Sequence, residues 1–174
     1  MTLERPRPED PYAKLPAVPS FTVTSTDFED GQPLPASATG AGGNRSPQLS
    51  WSNVPQGTES FVVTCYDPDA PTDIGFVHWV LFDLPATVTS LPEGYGGHPE
   101  DGIEGYTDWG QSSWGGMAPP PGHGPHHYHF AVYALDVDKT GLDTSATYAF
   151  FRFNTESHVL ARGEIVGTYE VPAD

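Results

Sequence analysis

Apolar and polar positions alternate along this chain in short runs, and the readable period is two. Phe21-Thr22-Val23-Thr24-Ser25 predicts a first strand and Leu49-Ser50-Trp51 a second. Ser60 to Tyr66 and Phe76 to Leu84 are dominated by apolar residues on both parities, which predicts central strands buried on two faces. Tyr128 to Val137 reads the same way. Ala149 to Arg162 is the one stretch with room for a helix of length, with Asn154 or Thr155 as its candidate cap. Ile165 to Val171 then closes as a short strand. Between these runs lie Gly/Pro punctuation at 29–47, at Asp67-Pro68-Asp69-Ala70-Pro71, and over 92–125. A loop as long as the last, inside a compact domain, is usually functional. Residues 1–20 read as an extended arm that docks through Tyr12, Leu15 and Val18, and 21–174 as a single domain. The fold class this pattern predicts is all-β, an antiparallel sandwich with a few short helices.

Composition sharpens the picture. The chain has 174 residues, enough for one domain with a real core. Its 19 Gly and 19 Pro argue against long helices. The formal charge of -16 repels nucleic acid and anionic membrane surfaces, so any bound anion must be captured by local geometry. Cys65, the one cysteine, excludes an intramolecular disulfide and reads as a buried, inert thiol. No run approaches membrane-spanning length and the N-terminus carries no apolar leader, so the expected location is the cytoplasm, with no integral membrane segment.

Strand parity points to the chemistry. Asp67 shares the parity of Phe61, Val63 and Cys65; His78 that of Phe76, Val80 and Phe82; His126 and Tyr128 that of Phe130 and Val132. If those faces are buried, three strands deliver Asp, His, and His plus Tyr to one end of the core. Plainer readings stand beside this one. Asp67 can be a turn former bonding nearby backbone N–H groups. His78 can be a satisfied core histidine, and His126 and His127 solvent-facing loop residues. The histidines at 123, 126, 127 and 129 invite a metal reading, but 127 and 129 share one strand face while 126 takes the other, and no cysteine lies near. Neither Ser112 nor Ser113 sits in a nucleophile elbow.

Several of these residues fall into ordered motifs. Asp67-Pro68-Asp69-Ala70-Pro71 followed by His78-Trp79 is similar to the first signature of the phosphatidylethanolamine-binding (Raf kinase inhibitor-like) family. Pro119-Pro120-Pro121-Gly122-x-Gly124-x-His126-x-Tyr128 resembles its second, G-x-H-R-Y. Ser46-Pro47-x-Leu49-x-Trp51 and the ending from Leu160-Ala161-Arg162 to Gly167-Thr168-Tyr169 also match, in the style of the bacterial and archaeal members, so the resemblance spans about residues 20–170. It implies two packed antiparallel sheets with a shallow pocket for phosphate or a phosphoryl head group at one end. Carried over by position, the pocket uses Asp67, Ala70, Pro71, His78, Pro119, His126 and Tyr128. His127 stands where the family usually has Arg, a residue that pairs with a motif carboxylate such as Asp69.

The resemblance implies a binding module and not an enzyme, a regulator or inhibitor of a partner kinase or protease, with no cofactor and no metal. Its partners are a small phosphorylated or anionic ligand and a partner protein, with room for a homodimer. The alternative is a small hydrolase using an Asp/His pair. The expected site holds no Lys or Arg, so imidazole, tyrosine hydroxyl and backbone N–H groups must do the binding. Tight Pro corners at the pocket rim lead us to expect a cis bond at Ala70-Pro71 or Ala118-Pro119.

Overall fold

The structure is a computed structural model that describes residues 6–173. Among the described residues eight strands and one α-helix follow in order: β1 (Thr22–Thr24), β2 (Leu49–Ser52), β3 (Ser60–Asp67), β4 (Phe76–Pro85), β5 (Ser90–Leu91), β6 (Ile103–Glu104), β7 (His126–Leu135), α1 (Tyr148–Thr155) and β8 (Val159–Tyr169). They form two antiparallel sheets, a small one ordered β1-β2-β5 and a large one ordered β6-β4-β3-β7-β8. The doubly apolar runs of β3, β4 and β7 occupy the middle of the large sheet, because only interior strands can bury both faces.

One apolar layer, with Phe61, Val63, Trp79, Leu81, Tyr128 and Phe130, fills the space between the sheets against Val23, Leu49 and Trp51. A second lies on the opposite face of the large sheet, where Val62, Val80, Phe82 and Tyr133 meet Phe151 of α1 and Tyr12 of the N-terminal segment. That segment turns at 10–15 instead of running extended throughout. Its Tyr12 ring is 3% exposed and stacks under the Arg162 guanidinium, 4.5 Å from the ring centre. Buried Cys65 lies in the first layer, and burial pushes its thiol pKa up, against reactivity.

Three local expectations are corrected. The helix ends at Thr155, and Val159 to Arg162 belong to β8, paired with Leu135 to Tyr133 of β7. In that stretch Ala161, Gly163 and Ile165 turn inward with period two, and the ladder along β7 outweighs helix propensity. Thr147 is the cap, its hydroxyl accepting from Phe150 N–H; Asn154 and Thr155 instead donate to the carbonyls of Phe150 and Phe151 near the other end. Finally, Ala70-Pro71 and Ala118-Pro119 are both trans. The corner after β3 is made by other means: the Asp67 carboxylate accepts Asp69 N–H at 2.8 Å, and Gly75 adopts a φ of 70°.

Candidate functional site

Asp67 closes β3 on the inner face, as its parity with Phe61, Val63 and Cys65 requires. His126 opens β7, two residues before Tyr128 and on the same face. The antiparallel pairing of β3 with β7 brings the two ends together, and His126 Nδ1 lies 2.7 Å from Asp67 Oδ2. Both side chains are buried. A carboxylate can only accept, so Nδ1 carries the proton and the ring orientation is set. His126 Nε2 is 2.8 Å from His123 Nδ1, which extends the pair into an Asp67–His126–His123 chain. Asp67 therefore divides its carboxylate, Oδ1 accepting Asp69 N–H in the turn and Oδ2 meeting His126.

His78 reaches the same place by a route that parity does not describe. The β3–β4 register runs Cys65 opposite Trp79, then Tyr66 opposite Val77, leaving His78 as the extra residue of a bulge. Beyond the bulge the faces exchange: Val80 and Phe82 point into the outer layer, and Trp79 and Leu81 into the inner one. His78 does not share a face with Val80 and Phe82, but the bulge turns it toward Phe76 and Tyr128, 5.1 and 5.2 Å between ring centres. Its Nδ1 lies 2.7 Å from the Gly115 carbonyl oxygen and must donate to it. The Trp109 indole N–H, 3.3 Å from that same nitrogen, then faces a protonated atom and makes no effective bond. Nε2 is left as the ring's free polar atom. Burial lowers the His78 pKa, so at neutral pH the ring is uncharged and Nε2 is an acceptor.

The 92–125 loop is held against the sheet by specific contacts. Asp108 accepts Val77 N–H at 2.7 Å, and Gly115 N–H donates to His78 O at 3.1 Å. Buried Glu104 receives the Trp79 indole, the Trp114 N–H and the Gly97 N–H, which ties the back of the loop to β4. Its front delivers Trp109 and the run Ala118-Pro119-Pro120 over the strand ends.

The result is one cavity of about 230 Å³. Asp67, His78, His126 and Tyr128 all line it, and so do Ala70, Pro71 and Pro119. Thr72, Phe76, Trp109, Ala118 and Pro120 complete its wall. Residue pattern could not single out Trp109, because a lone aromatic in a Gly-rich loop has no period to place it. Phe76 carried a signal, since it precedes His78 by two. The Tyr128 hydroxyl has no hydrogen bond among the described residues, and burial, then Asp67, raise its pKa, so it stays protonated and can donate. Among the described residues no group of three metal-ligating side chains converges here or elsewhere. No helix of those residues is long and apolar enough to cross a membrane.

The family profile described as phosphatidylethanolamine-binding protein matches residues 24–170. The UPF0098 protein YbcL of Escherichia coli (strain K12) is 41% identical over 162 residues, covering 87% of this chain and 88% of that protein. The UPF0098 protein YbhB of the same organism is 43% identical over 156 residues, covering 84% and 98%. The crystal structure of Escherichia coli YbcL, described as a new member of the mammalian PEBP family, superposes with a TM-score of 0.83 over 87% of this chain and 99% of that one. A PEBP homologue from Chlamydia trachomatis, 31% identical, gives 0.78 over 87% and 97%.

Proposed function

Because the chain belongs to the phosphatidylethanolamine-binding protein family, we propose that it is a non-enzymatic binding module whose cavity takes a small phosphoryl or other oxyanion group. The observation that carries this reading is the convergence of the Asp67–His126 pair, His78 Nε2 and the Tyr128 hydroxyl on one cavity with otherwise apolar walls. A cavity of about 230 Å³ lies below the roughly 300–1,000 Å³ of sites for drug-sized ligands, so it suits a head group and not a whole lipid.

The cavity wall holds no Lys or Arg. A dianion entering it meets two permanent side-chain donors on the wall, the Tyr128 hydroxyl and the Trp109 indole N–H, and a His78 nitrogen that accepts until it is protonated. Binding therefore takes up a proton, either on His78 or on the ligand's own oxygen. Each charge-assisted bond contributes about 1.5–3 kcal/mol, which after ordering costs gives affinities between roughly micromolar and millimolar. Such a range suits docking or sensing. Regulation of a partner kinase or protease follows from family analogy alone; Ile74 and Trp109, 79% and 43% exposed near the cavity, would meet such a partner.

Binding is favoured over turnover because His126 has both ring nitrogens engaged, on Asp67 and His123, and His78 Nε2, though an acceptor, has no free aliphatic hydroxyl on the wall to activate. The Thr72 hydroxyl, the one aliphatic hydroxyl among the lining residues, is donated to Gly75 O. Calorimetric titration with phosphoethanolamine and inorganic phosphate, beside a turnover assay on p-nitrophenyl phosphate, tests the reading. Saturable binding without turnover is expected. Turnover that His126→Gln abolishes would favour the hydrolase alternative, and absence of binding at tens of millimolar would remove the site.

A further inference from the structure

A second cavity, of about 210 Å³, adjoins the first across the Trp109 indole, which lines both. Its other lining residues are Gly40, Asn44, Gln111, Gly115 and Gly116. Backbone pairing builds it. Met117 N–H donates to Ala38 O at 3.3 Å, Gly40 N–H to Met117 O at 3.0 Å, and Gly116 N–H to Asn44 Oδ1 at 2.7 Å. Gly115 is bonded twice to His78, through its N–H and its carbonyl, so one short segment lines this cavity and also orients the imidazole of the first. The Trp109 ring lies directly on Gly115, where a Cβ would stand 2.0 Å from the indole Cδ1. Trp109 is 43% exposed, so the partition between the cavities offers a solvent-facing aromatic surface.

The lining of this second cavity holds no charged side chain, and no apolar one besides Trp109. On a chain of charge -16, such a recess beside an oxyanion site selects by hydrogen bonding and not by charge. Asn44 Oδ1 is held by Gly116 N–H, which fixes the amide and leaves its Nδ2 donors without a hydrogen bond among the described residues. Gln111 donates Nε2 to Trp114 O at 3.2 Å, which leaves its Oε1 in the same condition. Donors and an acceptor therefore stand beside an aromatic ring. A hydroxyl is donor and acceptor at once, and the C–H groups of a polyol pack on an aromatic surface. An ammonium would find no carboxylate in this lining, and an acyl chain no apolar channel.

We propose that the second cavity takes the substituent of the oxyanion seated in the first, and that this substituent is a short hydroxylated chain, so that the ligand is a phosphate monoester of a polyol or sugar. The inference rests on the reading of the first cavity as an oxyanion site. The phosphoryl group meets Tyr128 and His78, the carbon chain crosses Trp109, and its hydroxyls donate to Gln111 Oε1 and accept from Asn44 Nδ2. Phosphoethanolamine gains only the first cavity, because its ammonium has no partner in the second.

The test is an NMR titration of the full chain at pH 6.5, following the Trp109 indole N–H and the side-chain amides of Asn44 and Gln111. Glycerol 3-phosphate and propyl phosphate are the probes, since both are three-carbon phosphate monoesters and only the first carries hydroxyls on its chain. Inorganic phosphate reports the first cavity alone. Glycerol 3-phosphate is expected to bind about fivefold more tightly than propyl phosphate, the worth of roughly one net hydrogen bond. It should also shift the Asn44 and Gln111 amides, which the other two ligands should leave in place. Gln111→Ala, and Asn44→Asp, which keeps the acceptor for Gly116 N–H, should each bring the affinity ratio of the two esters close to one. Taking the ratio cancels the charge that Asn44→Asp adds. Equal binding of the two esters, or a ratio unchanged in both variants, would overturn the proposal and leave the oxyanion reading standing. If neither ester nor inorganic phosphate gives a saturable shift of the Trp109 indole, the oxyanion reading falls and this proposal with it.

Discussion

His127 Nδ1 lies 2.8 Å from Asp69 Oδ2, the same oxygen that receives the His127 backbone N–H at 2.8 Å. This is the position where the family resemblance expects Arg, and the imidazole takes over its pairing with the motif carboxylate. Asp69 is 4% exposed, and its own N–H donates to Asp67, so the pair braces the corner that carries the cavity's carboxylate. His127→Ala should lower stability by about 1.5–3 kcal/mol, the range for a hydrogen bond to a charged acceptor. Urea unfolding with an unchanged m-value checks this, and a double-mutant cycle with Asp69→Asn should return a coupling of the same sign.

Anion binding in the first cavity should weaken as pH rises. His78 has a pKa below the ordinary histidine value because burial opposes its charge. A bound anion favours the protonated ring, so the complex holds more proton than the free protein, and affinity falls with increasing pH. Sulfate, dianionic throughout pH 5–8, isolates this effect from the ligand's own titration. Calorimetry should give decreasing affinity across that range, and a flatter slope in His78→Gln. A flat profile in the unsubstituted protein would remove the imidazole from binding.

The same burial makes the fold sensitive to acid. His78 and His129 both have folded pKa values below the unfolded value of about 6.5. Between the two values the unfolded chain binds more protons, so their contribution to stability is full above about pH 6.5 and is lost as pH falls through the folded pKa. Thermal melts should show Tm dropping from pH 7 to pH 5. His129→Phe, where it folds, should reduce that drop.

Gly75 is the backbone element that lets β4 return beside β3. At its φ of 70° a side chain is strained, and a Cβ there would stand 2.7 Å from the Asp67 carbonyl oxygen. Gly75→Ala should cost about 2–3 kcal/mol and move the cavity rim, since the Tyr66 ring beside it would also have to shift. Chemical denaturation reads the first effect. Loss of anion affinity at a temperature where the variant remains folded reads the second.

Hydrophobic period alone was enough to place β3, β4 and β7 at the centre of a sheet, because a strand apolar on both parities has nowhere else to go. It also aimed Asp67 and His126 inward, since an unbroken strand keeps its alternation to the end. Alternation stops predicting faces where a strand bulges. The bulge at His78 exchanged the faces of β4, so Trp79 and Leu81 became the inner pair, and no residue type in that run announces it. The start of β8 reads as helix from sequence, because only the β7 ladder, a contact distant in sequence, decides between the two for Val159 to Arg162. Trp109 and the second cavity belong wholly to tertiary structure: the first is set by the bond between Asp108 and Val77, the second by the 38–44 loop pairing with Gly116 and Met117. Period is a property of neighbours along the chain, whereas bulges, loop anchors and cavities depend on partners that only folding brings together.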